Sequence, residues 1–182
     1  MRPAVFISYR AFIYPKKRRK NVKVNLYDMD VDGEGHVHLV KEKTLNYDAA
    51  LKIGSPADAA DMFIRLTHID KKAEEHIYML SLNASCEVAG LFFISKGSAT
   101  ASYMTPRELY MRALISGAVQ IIICHNHPSG AAVPSSDDIE ITRKIKEAGE
   151  LVGIILSDHI IIGGMENKKY FSLREAGLLE GA

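Results

Sequence analysis

The alternation of apolar and polar residues predicts a series of short strands separated by helices. HIYMLSL (76–82) and VAGLFFIS (88–95) are almost continuously apolar and are separated by NASCE, which is typical of paired strands buried on both faces. VQIIIC (119–124) and LVGIILSDHIIIG (151–163) predict further strands. YFSLREAGLL (170–179) predicts a short strand followed by a helical turn.

Helix starts are indicated by capping residues placed just before amphipathic segments. They are Ser55 before Pro56, Thr105 before Pro106, and Ser135 before Ser136-Asp137-Asp138. The second helix is expected to end near Gly117, and the third at Gly149 or Gly153. From residue 76 onward the order is therefore β-β-α-β-α-β-β, which predicts an α/β (α+β mixed) fold with a mixed sheet flanked by helices.

The first fifty residues differ from the rest in pattern. A strand-like segment, Val5–Tyr14, precedes the basic run PKKRRK, and two alternating segments flank the turn-forming DGEG (32–35), as in a β-hairpin. We therefore predict a strand-rich appendage at 1–50 and a main domain at 51–182.

Composition limits the classes of protein that need to be considered. With 182 residues, of which 47% are hydrophobic and 25% charged, the chain can bury one globular core. The net charge of +1 gives no general reason to bind nucleic acid or a membrane surface. Two cysteines, no long apolar run and an N-terminus unlike a secretory signal favour the cytoplasm, with no membrane partner.

The strongest chemical signal lies in IIICHNHPSGAAVPSSDD (121–138). In a strand, His125 and His127 project to the same side, roughly 7 Å apart at the backbone, so both rings can reach one ion. Asp138 would occupy the first turn of the following helix, where the positive end of the helix favours a carboxylate. Two imidazoles and one carboxylate suit a catalytic zinc with a fourth position left for water.

Hydrolysis by such a site also needs a carboxylate that takes and returns a proton. The upstream candidates are Glu74, Glu75, Glu87 and Glu108. Glu75 immediately precedes HIYMLSL, so a neighbouring sheet position could hold it over the metal, although a solvated carboxylate at a strand edge fits the local sequence equally well. Glu108 is better explained by helix capping.

These residues resemble a known motif. H-x-H-P, six residues and S-x-x-D, with an upstream Glu, is similar to the JAMM motif of MPN-plus metalloproteases, and His125, His127, Pro128, Ser135 and Asp138 match it. HNHPSG, TRKIKEAGELVGI, DHIIIG and MTPRELYMRAL further resemble the RadC family, bacterial proteins named for DNA repair. This second resemblance covers about residues 50–174.

The resemblance implies a JAMM/MPN-like fold with one zinc per chain on His125, His127 and Asp138. It also implies that Glu75 is the general acid/base and that Ser135 helps to stabilise the oxyanion, although helix capping alone would explain Ser135. Asp158 and His159 are candidates either for orienting a ligand from behind or for bonding neighbouring strand ends. RadC-like proteins usually carry a helix-hairpin-helix segment before this domain, and residues 1–50 do not resemble one.

Two functions follow as hypotheses. The first is a zinc metallopeptidase or isopeptidase acting on a peptide or protein. The second is a DNA-associated accessory protein with a structural or ancillary metal site, in which Lys16–Lys20 contact phosphates. Cys124 is not expected to be a nucleophile, because in a strand it faces away from His125 into the core. His36 and His38 lack acidic neighbours with comparable spacing and are expected to be exposed.

Overall fold

The computed structural model describes residues 21–97, 104–164 and 170–179. The strands are β1 (Val22–Val31), β2 (Val37–Tyr47), β3 (His76–Leu82), β4 (Val88–Lys96), β5 (Gln120–Asn126), β6 (Ile155–Ile162) and β7 (Tyr170–Ser172). The helices are α1 (Pro56–Thr67), α2 (Pro106–Ile115) and α3 (Ser136–Val152), and a 3₁₀ turn covers Ile69–Lys71. From β3 onward this order confirms the predicted β-β-α-β-α-β-β sequence.

Each helix begins at the predicted cap. The side-chain oxygens of Ser55, Thr105 and Ser135 each accept a hydrogen bond from the backbone N–H three residues later. Of the two predicted ends for α3, the chain uses Gly153, which has a φ of 72°. Gly149 lies inside the helix instead, and a Cβ there would clash with the Tyr110 hydroxyl.

The described strands form one mixed sheet in the order β2-β1-β4-β3-β5-β6-β7. β1 runs parallel to β4 and β5 parallel to β6, whereas the other neighbours are antiparallel. The two faces carry separate cores, because α1 packs on one face while α2 and α3 pack on the other. In β5, Ile122 and Cys124 face α1, and Ile121 and Ile123 face α2 and α3. Cys124 is therefore in the core, as expected.

The hairpin of β1 and β2 extends this sheet. Leu26 pairs with Leu91 and Tyr27 with Phe92, and Val24 and Leu26 are buried in the core that α1 covers. The hairpin therefore shares a core with the rest of the chain, while the domain boundary near residue 50 stays a prediction. Val5–Tyr14 and Lys16–Lys20 lie outside the described residues. Within the described ranges, none of the helices is both long and apolar enough to cross a membrane.

Candidate metal centre

His125, His127 and Asp138 converge at one end of β5. The Nε2 atoms of the two histidines are 3.0 Å apart, and the Asp138 oxygens lie 3.2 Å from His125 Nε2 and 3.4 Å from His127 Nε2. In a tetrahedral zinc site with ligand distances of about 2.0–2.1 Å, neighbouring ligand atoms are about 3.3 Å apart. The three side chains therefore fit a zinc ion in both chemistry and spacing.

This triad is the one potential metal-binding group found among the described residues. His36 and His38 are exposed on the hairpin and are not part of this group, although His36 lies beside Asp32 and Glu34.

The end of β5 orients the two histidines. His125 lies in the strand opposite Ile77 of β3, and its exposed fraction is 2%. His127 follows the strand, with its backbone N–H donating to Ile162 O at 3.0 Å. Its ring Nδ1 is 2.9 Å from Ala131 O. Because a carbonyl oxygen only accepts, that Nδ1 carries the proton, and in the neutral ring the Nε2 lone pair points to the centre.

Asp138 holds its position through a capping box at the start of α3. Its Oδ2 accepts hydrogen bonds of 2.7 Å from both the backbone N–H and the hydroxyl of Ser135, and Ser135 Oγ accepts from Asp138 N–H. Burial alone would raise the pKa of Asp138, but the contacts with His125 and His127 outweigh it and hold that pKa well below its usual range. Asp138 is therefore ionised, as a metal ligand must be. Ser135 acts as a helix cap, and its predicted catalytic role stays a prediction.

Of the four glutamates considered, Glu75 is the one next to the centre. The pairing of β3 with β5 ends at Ile77 and His125, and Glu75 and His127 each lie two residues beyond this last pair, at the same end of the two strands. Glu75 is half-buried. The pKa of His127 is raised chiefly by its contact with Asp138, and the charge of Glu75 adds to this effect. The others have partners elsewhere: Glu74 pairs with Lys96, Glu87 contacts Asn83, and Glu108 pairs with Arg107 and Arg112.

Asn126, between the two histidines, was not predicted to have a role. Its side chain faces the other way and is buried, with an exposed fraction of 2%. Its Oδ1 accepts from His76 N–H at 2.8 Å, and its Nδ2 donates to Lys72 O at 3.2 Å and to Glu74 O at 3.1 Å. Two of these bonds hold the backbone on either side of Glu75, at Glu74 and at His76. Asn126 therefore ties the segment that carries Glu75 to the strand that carries the histidines.

Asp158 and His159, which were considered together, have different contacts. Asp158 Oδ2 accepts from Ser172 Oγ at 2.6 Å, and its Oδ1 accepts from the backbone N–H groups of Arg174 and His159. Asp158 thus joins β6 to the turn after β7. The neighbouring His159 contacts the centre, because its Nε2 lies 2.8 Å from Nδ1 of His125. A bulge in β6 turns His159 towards the centre.

The loop after His127 rests on a pair of glycines at the end of β6. Gly164 N–H donates to Gly130 O at 3.3 Å, and a Cβ on Gly163 would lie 2.6 Å from the same oxygen. Gly130 has a φ of 84°, a conformation that favours glycine. The sequence GG directly after a buried strand was the available signal for this close approach.

Comparison with known proteins gives a family match. Residues 53–178 match the model of a family described as RadC-like JAB domain. A UPF0758 protein of Clostridium beijerinckii is 42% identical over 137 residues, which is 75% of this chain and 57% of that protein. A UPF0758 protein of Staphylococcus haemolyticus is 39% identical over 135 residues, 74% of this chain and 57% of that protein. The chain thus spans little more than half the length of these relatives.

Proposed function

This chain belongs to the RadC-like JAB domain family, and from that premise we propose that it is a zinc-dependent hydrolase, a metallopeptidase or isopeptidase. The observation that carries the proposal is the triad of His125, His127 and Asp138, with the charge of Glu75 near enough to act on His127. Three ligands on rigid elements leave room for a fourth, and a neighbouring carboxylate supports proton transfer.

The residues of the centre divide the chemistry between them. Zinc, when bound, supplies a Lewis acid that polarises a carbonyl group and makes water acidic near pH 7. His125 and His127 offer neutral Nε2 atoms, and Asp138 offers a negative charge that offsets part of the charge of the ion. The Glu75 carboxylate takes the proton of the attacking water and passes it to the departing amide nitrogen, which cannot leave without one.

Ser135 is proposed as a hydrogen-bond donor to the oxyanion. Its hydroxyl hydrogen is directed to Asp138 Oδ2 in this structure. A hydroxyl rotates freely, so substrate carbonyl oxygen could compete for that hydrogen as its negative charge develops. The preference for a peptide or isopeptide bond rests on the family resemblance.

Elemental analysis and two matched variants test the proposal. The purified protein should retain about one zinc per chain, and His125→Ala should lose it. Glu75→Gln should keep the zinc and lose hydrolysis of fluorogenic peptides and isopeptide-linked reporters, since a carboxamide cannot take the proton. Glu74→Gln is the control, because Glu74 is adjacent but pairs with Lys96. Absence of zinc in the wild type, or full activity in Glu75→Gln, would overturn the proposal.

The alternative function, a DNA-associated accessory protein, depends on Lys16–Lys20, which lie outside the described residues. Its support is the basic run in the sequence. Salt-dependent binding to duplex DNA that is lost when these five residues are neutralised would favour it.

A further inference from the structure

A chain of hydrogen bonds behind the centre connects two of the proposed metal ligands. His125 Nδ1 is 2.8 Å from His159 Nε2, and His159 Nδ1 is 2.6 Å from Thr142 Oγ1. Thr142 Oγ1 is in turn 2.5 Å from the backbone oxygen of Asp138, one helical turn earlier in α3. The three side chains are almost completely buried, with exposed fractions of 2% or less. The chain therefore links β5, β6 and α3 without access to solvent.

The direction of the bonds in this chain can be deduced from its last member. The Asp138 carbonyl oxygen has no hydrogen, so the Thr142 hydroxyl donates to it. A hydroxyl has a single hydrogen, so Thr142 must accept from His159, whose Nδ1 therefore carries a proton.

The same reasoning passes through His159 to His125. His159 is completely buried, and burial disfavours a charged imidazole, so its Nε2 has a lone pair and accepts a hydrogen bond from His125 Nδ1–H. A neutral imidazole has one N–H and one lone pair, so with the proton of His125 on Nδ1 its lone pair is on Nε2. This Nε2 atom faces His127 and Asp138.

We propose that Thr142 and His159 are positioning residues that fix the tautomer of His125, so that Nε2 is the atom offered to the metal before any ion arrives. The inference rests on the metal site of the proposed function and does not depend on the reaction. Neither residue is predicted to contact the ion. Their role is to remove the alternative tautomer, which would place a hydrogen between His125 and the ion.

Nuclear magnetic resonance of the chelator-treated, ¹⁵N-labelled protein tests the tautomers directly. Long-range ¹H–¹⁵N correlation should show the proton on Nδ1 in both His125 and His159. Thr142→Val, which has nearly the same shape without the hydroxyl, should give a mixture of tautomers at both histidines. Its zinc affinity, measured by competition with a chromophoric chelator, should fall about 10–100-fold. Thr142→Ser keeps the hydroxyl and should restore both results.

Thr67→Val is the matched control. Thr67 Oγ1 also donates to the carbonyl oxygen four residues earlier in its helix, Phe63 O at 2.7 Å, but no imidazole continues the chain. This variant should lose the same local hydrogen bond and leave the tautomers and the zinc affinity unchanged.

Three results would overturn the inference: an unprotonated Nδ1 of His125 in the wild type, unchanged tautomers in Thr142→Val, or an equal loss of zinc affinity in Thr67→Val. Failure of the wild type to bind zinc would overturn the proposed function instead. The two failures are distinguishable because the tautomers are measured without metal.

Discussion

Replacing Asn126 by alanine should free the segment that carries Glu75 while leaving the three proposed ligands in the chain. The change removes three hydrogen bonds of 2.8, 3.1 and 3.2 Å and leaves His76 N–H and two carbonyl groups without these partners. At about 1 kcal/mol for each neutral hydrogen bond, the loss is about 3 kcal/mol. Water can reach part of this segment, so we do not add a full penalty for unsatisfied groups.

Amide hydrogen exchange provides the assay. If the free energy of local opening of this segment falls by about 3 kcal/mol, His76 N–H should exchange roughly a hundredfold faster. Zinc content should remain near that of the wild type, whereas any hydrolytic activity should fall, because the backbone on either side of Glu75 is no longer tied to β5. Asn126→Asp keeps an acceptor for His76 N–H but repels the Lys72 and Glu74 carbonyl groups, so it should lower any hydrolytic activity with a smaller effect on His76 exchange.

Asn83→Ala is the control for Asn126→Ala. Asn83 also makes three side-chain hydrogen bonds, to Ser85 and Glu87, but in the exposed turn at the opposite end of β3. Its removal should leave His76 exchange unchanged. The reasoning is refuted if His76 exchanges at the wild-type rate in Asn126→Ala, or if Asn83→Ala accelerates it to the same extent.

Three further predictions concern packing and burial. Gly163→Ala places a methyl group 2.6 Å from a loop carbonyl oxygen and should cost about 1–3 kcal/mol in urea unfolding and weaken zinc binding; wild-type values for both would contradict it. Tyr47→Phe removes the 2.8 Å bond to buried Asp61 and should lower the free energy of unfolding by about 1.5–3 kcal/mol; an unchanged value would contradict this prediction. Burial raises the pKa of the Cys124 thiol, so iodoacetamide should label Cys86 first, as mass spectrometry can show.

Local rules predicted most of the fold and the ligand triad. Helix caps depend on residues three apart, and strand alternation depends on neighbours, so Ser135, Asp138 and the two histidines could be placed from the sequence. Asn126 could not, because its partner Lys72 lies 54 residues away and the contact exists only once β3 pairs with β5.

Strand alternation alone does not decide which of Asp158 and His159 faces the centre. Counting alternate residues from Leu156, which faces α2 and α3, would place Asp158 on the same face as the centre. Ile121 pairs with Leu156 but Ile122 pairs with Asp158, so Ser157 is an extra residue. This bulge reverses the alternation and brings His159 to the face of the centre. Nothing in the local pattern indicates where a strand contains an extra residue.

The opposite orientations of Asn126 and its flanking histidines also protect the chain against misfolding. A shift of β5 by one residue against β3 would turn both imidazoles into the apolar layer under α1 and direct the carboxamide towards Asp138. Every hydrogen bond of Asn126 would be lost at the same time. The misaligned pairing is therefore destabilised on both faces of the sheet at once. A folding chain that pairs incorrectly should separate again and reach the native alignment.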